Sequence, residues 1–252
     1  MMISQALMTQ QKPMIRILMM TYKQCVIGLL VIAWPCSLFA ATVKPFTSSY
    51  SASIYGLHVG NITRSLKIAN GHYQFVSDVK STLPFTHVEI FAKSTGLWTA
   101  NGPMPVDYHY RYDHFHHSKT INTHFDWSKH IAFTDEQGKK QQVAISAGDQ
   151  DKLSYQLVMR DNLLNNKRPL VYHIADGHDI DTYSFGQTGT NVIQTPAGKL
   201  QTVKLQRSNN GPNSENIVFW LAPKNNYAIA KIVDVNNGKV QFSGILNHYQ
   251  EA

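Results

Sequence analysis

Asp149-Gln-Asp-Lys-Leu-Ser-Tyr-Gln-Leu-Val-Met-Arg-Asp-Asn-Leu-Leu-Asn-Asn166 is the stretch of this chain that reads as a helix. Leu153, Leu157 and Leu164 recur at helical spacing on one stripe, and Met159 and Leu163 fall on a second. Asp149 follows Gly148 and is placed to cap the first turn, and Asp151 then puts negative charge where the helix dipole favours it. Asn165-Asn166 and Pro169 end the segment. A helix apolar on two sides needs cover on both. It is therefore expected inside a curved sheet or across its mouth, as a plug around which strands wrap.

The rest of the chain from Phe46 alternates with period two between turn residues. The expected strands before the helix are Phe46–Tyr55, His58–Ala69, His72–Lys80, Val88–Trp98, Val106–His117, Thr120–Trp127, His130–Phe133 and Lys139–Ile145. After it come Leu170–Ala175, His178–Phe185, Asn191–Thr195, Lys199–Arg207, Ile217–Leu221, Ala228–Val235 and Lys239–His248, giving about fifteen strands. Asn70-Gly71, Asp176-Gly177 and Asn237-Gly238 are tight hairpin signals. With Asp176-Gly177 as the two loop residues, Ala175 pairs with His178, and His173 becomes a diagonal neighbour of His178. So many sequential antiparallel strands curl or close to hide their edges. The expected fold is mainly β: a curved antiparallel meander closing into a barrel or spiral, with one buried or plugging helix at about 149–166. No linker divides it, so residues 41–252 read as a single domain. A transmembrane barrel would show longer strands with an apolar lipid face and aromatic girdles, whereas these carry His, Lys and Asp on both faces.

The N-terminus reads as an address. Val26-Ile-Gly-Leu-Leu-Val-Ile-Ala33 lies behind Lys23 and before Trp34-Pro-Cys-Ser-Leu-Phe-Ala40, the order of a secretory signal too short to span a bilayer. Residues 1–40 are read as a signal peptide with an upstream extension before Met19-Met20, cut after Ala40 or, as runner-up, Ala41. Both cysteines, Cys25 and Cys36, fall in that segment, so the exported chain would lack thiol chemistry and disulfides. The formal charge is +7, but Lys12, Arg16 and Lys23 belong to the same segment, leaving 20 basic against 16 acidic residues beyond it. No basic block points to nucleic acid.

Little points to catalysis. There is no Gly-x-Ser-x-Gly elbow, no His-Glu-x-x-His and no phosphate loop, and Ser154 sits within the helix. Glutamate is confined to Glu89, Glu136, Glu215 and Glu251. The run Tyr108-His-Tyr-Arg-Tyr-Asp-His-Phe-His-His117 places His114 and His116 on one strand face, a pair that could contribute two metal ligands, while zinc takes three or four. In His173-Ile-Ala-Asp-Gly-His-Asp-Ile-Asp181 the hairpin separates imidazoles from carboxylates. No cofactor is expected. The remaining candidate is a concave interior lined by Phe75, Trp98, Trp127, Phe185 and Trp220, with Leu153 and Leu157 of the helix facing it.

Asp151-Lys-Leu-Ser-Tyr-Gln-Leu-Val-Met-Arg160 resembles the central segment of an exported bacterial family, domain of unknown function 3108. Tyr50 through Gly60, Gly102-Pro-Met-Pro-Val-Asp-Tyr108, Phe125-Asp-Trp127, Thr195-Pro-Ala-Gly-Lys-Leu200 with Val203–Arg207, and Trp220-Leu-Ala222 fit in the same order. The resemblance implies a secreted or periplasmic protein with a curved antiparallel β architecture, and it brings no catalytic residue. The His-rich strand lies outside it. The expected function is a non-enzymatic periplasmic cell-envelope protein that binds a lipid-like or amphipathic ligand in its interior and, once the signal is removed, does not span the membrane. The alternatives are an envelope scaffold with a filled core that docks on a protein partner, and a His-dependent metal hydrolase.

Overall fold

Fourteen strands, with period-two burial clearest in β1, β2, β7 and β9, make up the computed structural model, which describes residues 41–82, 88–208, 216–236 and 238–252. The signal-like segment 1–40 and the hairpin position Asn237 lie outside the described residues. Before the helix the strands are β1 (Phe46–Ile54), β2 (Leu57–Ala69), β3 (His72–Ser81), β4 (Val88–Thr99), β5 (Gly102–His114), β6 (His117–Asp126), β7 (Ile131–Glu136) and β8 (Lys139–Ala144). The helix α1 (Tyr155–Leu164) follows, then β9 (Leu170–Asp176), β10 (Asp179–Thr195), β11 (Gly198–Ser208), β12 (Asn216–Ala222), β13 (Ala228–Asn236) and β14 (Lys239–Glu251).

Every strand pairs antiparallel with its neighbour in sequence except β8 with β9, and β1 pairs with β14. The two chain-terminal strands therefore meet in mid-sheet, and β8 and β9 become its ends. Those ends are drawn together. Gln150 forms a parallel bridge with Ile174 of β9, donating from its backbone N to His173 O at 2.8 Å and accepting from Ala175 N at 2.9 Å. The Gln141 side chain of β8 reaches His178 Nδ1 at 3.1 Å. Phe125, Ala132, Ile145 and Ala175 pack as one cluster across the seam. The result is a nearly closed antiparallel barrel whose two end strands are tied by Gln150 at β9 and by Gln141 of β8, which limits the exposed edge.

Three local readings change. His178–Phe185 and Asn191–Thr195 are one 17-residue strand, β10, because a bulge at Gln187/Gly189 absorbs the glycine-rich stretch without ending the ladder. The β9–β10 turn is Gly177-His178 rather than Asp176-Gly177, so Asp176 pairs with Asp179 and His173 with Thr182. Gly177, at φ +68°, takes the first loop position, where a positive φ suits the twist of a hairpin. His173 and His178 are thus not diagonal neighbours. The His-rich run also bends: β5 stops at His114, Phe115 adopts φ +51°, and His117 opens β6.

The helix starts later than the sequence suggests because residues 149–151 are engaged at the β9 edge. Asp151, not Asp149, caps the turn at 152–154 that leads into it, and Ser154, which directly precedes the helix, makes no side-chain cap bond to it. Asp151 Oδ1 accepts from the backbone N–H groups of Leu153 and Ser154, both at 2.7 Å, and Ser154 Oγ accepts from Asp151 N at 3.0 Å. Asp149 instead accepts from Ser146 N at 2.8 Å and fixes the turn before the bridge. The two apolar stripes part as expected. Tyr155, Met159 and Leu163 enter a core with Tyr50, Phe185 and Phe219, while Leu153 and Leu157 join Phe46, Leu66, Tyr73 and Phe75. Among the described residues no helix is long and apolar enough to cross a membrane.

Candidate functional site

In an up-and-down sheet the turns alternate between two ends. The helical segment, following β8, occupies one end of the barrel; the β1–β2, β5–β6 and β13–β14 turns occupy the other. Between them the inward-facing positions of β1 to β5, β13 and β14 line two partly open cavities. The one against the helical segment has a volume of 200 Å³ and touches Leu153, Gln156, Arg64, Ser77, Ala92 and Ile232. The one toward the far turns has 210 Å³ and touches Ala52, Ile54, Val88, Ile90 and His114. Val79 and Phe242 line both and form the waist between them. Beyond the outer cavity the turns carry exposed apolar side chains: Tyr55 is 67% and Leu57 72% accessible on β1–β2, and Phe115 58% on β5–β6.

Arg64 is the charged group of the inner cavity. It shares strand parity with Ile62 and Leu66, so β2 carries it inward between two apolar residues. Its Nη2 donates to Gln156 Oε1 at 2.7 Å, and its guanidinium lies 4.7 Å over the Phe75 ring. Burial pulls its pKa below the ordinary arginine value, opposed by the phenols of Tyr50 and Tyr155. Its Nε is shielded from solvent and has no hydrogen-bond partner. Among the described residues no carboxylate lies within ion-pairing distance of it.

A second inward arginine gives the contrast. Arg160 of α1 is 4% exposed, and burial also lowers its pKa. Its Nε and Nη2 donate to Asn226 O at 2.9 and 2.8 Å, and Nη2 also reaches Tyr249 Oη at 3.1 Å. The guanidinium lies 4.4 Å over Phe46. Arg160 is thus an anchor with its donors engaged by protein acceptors, whereas Arg64 keeps a buried donor in reserve. Asp234, cross-strand from Phe242, likewise has a buried Oδ1 without a partner, although neither cavity is lined by it.

Of the residues that the sequence nominated for the lining, Leu153 touches a cavity. Leu157 and Phe75 belong to closed core, and Phe185 stacks on Tyr155. Trp98 packs edge-on against Tyr73, and Trp127 stacks on Phe125 while donating to Pro105 O at 2.6 Å. Trp220 lies on the opposite face from Phe219, with the ammonium groups of Lys204 and Lys231 over its ring. His114 lines the outer cavity and pairs with His117, while His116 is exposed in the turn, so the two do not share a strand face as the sequence suggested. Among the described residues no three of His, Cys, Asp and Glu lie close enough to hold a metal ion. The sequence reading passed over Arg64, Gln156, Val79 and Phe242. A charge at the inward parity of Ile62-x-Arg64-x-Leu66 was the available signal.

Larger depressions of 490 and 380 Å³ lie along β2 to β8, and Asp107 and His124 within them already bond each other at 2.8 Å.

Comparison with known proteins returns a family described as "Protein of unknown function (DUF3108)", matching residues 48–243. No curated protein matches. Among solved structures, a β-barrel-like protein of domain of unknown function DUF1849 from Brucella abortus is 12% identical, with 84% of this chain and 100% of that chain covered and a TM-score of 0.49. A candidate lipoprotein from Parabacteroides distasonis is 8% identical, with 84% and 98% covered and a TM-score of 0.32.

Proposed function

We start from the fact that this chain belongs to the DUF3108 family, and we propose that it is an exported periplasmic protein holding a lipid-like or amphipathic ligand inside its barrel. The observation that carries this is the pair of neighbouring cavities that share Val79 and Phe242 as lining. Each alone is below the usual range for small-molecule sites, roughly 300–1,000 Å³, and a ligand spanning both would occupy a volume within it. Export rests on the signal-like order of residues 1–40. The role is non-enzymatic: Arg64 cannot give up its proton at working pH, so it suits holding a negative charge rather than general-base chemistry. Native mass spectrometry of protein purified from the periplasm is expected to find a co-purifying amphiphile of defined mass. A clean ligand-free mass in gentle conditions contradicts the reading.

The exposed Tyr55, Leu57 and Phe115 favour a second reading, an envelope scaffold whose working surface is the outer turns. Crosslinking in cells would then recover one stoichiometric protein partner, lost when these three residues are made polar.

A further inference from the structure

We infer that the ligand is a single-chain amphiphile with a compact anionic head, a carboxylate or phosphate monoester, seated on Arg64 with its chain running past the Val79–Phe242 waist toward Ile90 and His114. This rests on the reading of the interior as a container and adds the class and orientation of what it contains.

Polarity is segregated along the path. The inner cavity presents Arg64, Gln156 and Ser77 among apolar residues, whereas the outer one is lined mainly by Ala52, Ile54, Val59, Val88 and Ile90, its polar members being Ser81, His114 and Lys80, whose exposed ammonium pairs with Asp78. A head group is therefore matched at the helical end and a hydrocarbon chain toward the turns. The shielded Nε of Arg64 is a charged donor whose desolvation no protein acceptor offsets. An anionic oxygen satisfies it, and a two-oxygen head fits the guanidinium fork. A neutral head would leave the charge uncompensated. No protein carboxylate among the described residues competes for it by an ion pair.

The dimensions suit one chain. From Ser77 to Ser81, which touch the inner and outer cavities respectively, β3 advances about 13 Å. That is the reach of a medium-length acyl chain, and two cavities of this size leave no room for a second one beside it.

The test uses delipidated full-length mature protein, titrated calorimetrically with dodecanoate, dodecyl phosphate and dodecanol. The wild type is expected to bind at least one of the two anions at least tenfold more tightly than the alcohol. Arg64→Met, which keeps the aliphatic packing on Phe75, is expected to lose about ten- to hundred-fold in anion affinity with dodecanol unchanged. Arg64→Lys is expected to retain a preference for the anion. Whichever anion binds more tightly identifies the head. Equal binding of anions and alcohol by the wild type overturns the anionic head and leaves the container standing. Binding of none of the three overturns the container and this inference together. If Arg64→Met does not fold by circular dichroism, the wild-type ratio of anion to alcohol still decides the question.

Discussion

Val79→Phe separates a barrel with usable interior space from one whose interior is already packed. Val79 sits at the waist, paired across the sheet with Ile62 and Ile90, and touches both cavities. Phenylalanine suits a strand as well as valine does, so the backbone has no reason to change. Fully burying a large apolar side chain stabilises by roughly 1.5–3 kcal/mol. Valine already contributes part of that, which leaves a net gain of about 1 kcal/mol if the added ring enters the cavities. Forced into a filled core, the same ring would cost about 1–3 kcal/mol. For a chain of this size each kcal/mol moves the melting temperature by about 2–4 °C, so the two cases differ in sign. The assay is calorimetric melting of delipidated wild type and variant, each with and without dodecanoate. The ligand-free variant is expected to melt above the ligand-free wild type. It is also expected to melt below the loaded wild type, which gains about 2.7 kcal/mol at a hundredfold excess over Kd while the blocked variant gains none. A fall in the ligand-free melting temperature, or a variant that still responds to dodecanoate, refutes the reasoning.

Arg160→Ala is expected to destabilise by about 2–3 kcal/mol in urea denaturation, because Asn226 O and Tyr249 Oη lose a buried charged donor and Phe46 loses its cation, partly offset by relief of guanidinium desolvation; an unchanged midpoint would mean that the anchor is energetically idle. Burial raises the pKa of Asp151 above its ordinary value of 3.8, opposed by the hydrogen bond from Ser94 Oγ at 2.5 Å and the two capping N–H groups. The stability this carboxyl contributes is therefore complete below pH 3.8 and is lost as pH rises through the raised folded value, so the stability difference between Asp151→Asn and wild type should shift in favour of the variant with rising pH. A flat or opposite trend contradicts the assignment. At Gly60 an added Cβ would sit 2.1 Å from Lys80 O, so Gly60→Ala is expected to break the local β2–β3 register, read as lost amide protection in β3. The metal-hydrolase reading predicts stoichiometric zinc by elemental analysis, lost in a His114→Ala/His116→Ala double variant; purified protein with no zinc rejects it.

The helix and the Asn70-Gly71 hairpin were legible because their signals are local, whereas the β9–β10 turn lay one residue further on than Asp176-Gly177 indicated. Stripes at helical spacing and Asn-Gly or Gly-centred turns depend on a few adjacent residues. The meander followed from the number of strands. What escaped the sequence depended on which residues become neighbours across the barrel. Gln150 could not be seen as a strand partner of Ile174, because nothing local says that the two sheet ends meet there; the cap therefore moved from Asp149 to Asp151. Trp220 was expected to face inward, but Phe219 beside it takes the inward parity and Trp220 the outward one. Arg64 was legible in principle, since its parity with Ile62 and Leu66 puts a charge on the apolar face of β2. Its unpaired Nε was not, because that depends on acceptors that β3 and the helical segment fail to supply.

The strand count itself implies interior space. An eight-stranded barrel is about as wide as its own inward side chains can fill. Fourteen strands enclose a wider lumen, and something beyond strand side chains must occupy it. One helix does so at one end only: ten residues span about 15 Å, whereas thirteen-residue strands such as β5 and β14 run about 44 Å, or roughly 30 Å along the axis at barrel tilt. Both ends of the helical segment are held at that same end, by Ser94 at Asp151 and by Asn226 and Ala41 at Arg160 and Asn165, so the helix covers one end and leaves the other uncovered. Asn165 and Asn166 end it, and Asn165 Nδ2 bonds back to Asp161 O at 2.9 Å. A short plug in a wide barrel leaves its other half to be lined by apolar strand residues. The position of Arg64 at the boundary between plug and cavity is what turns that leftover space into a site with a polar end and an apolar end.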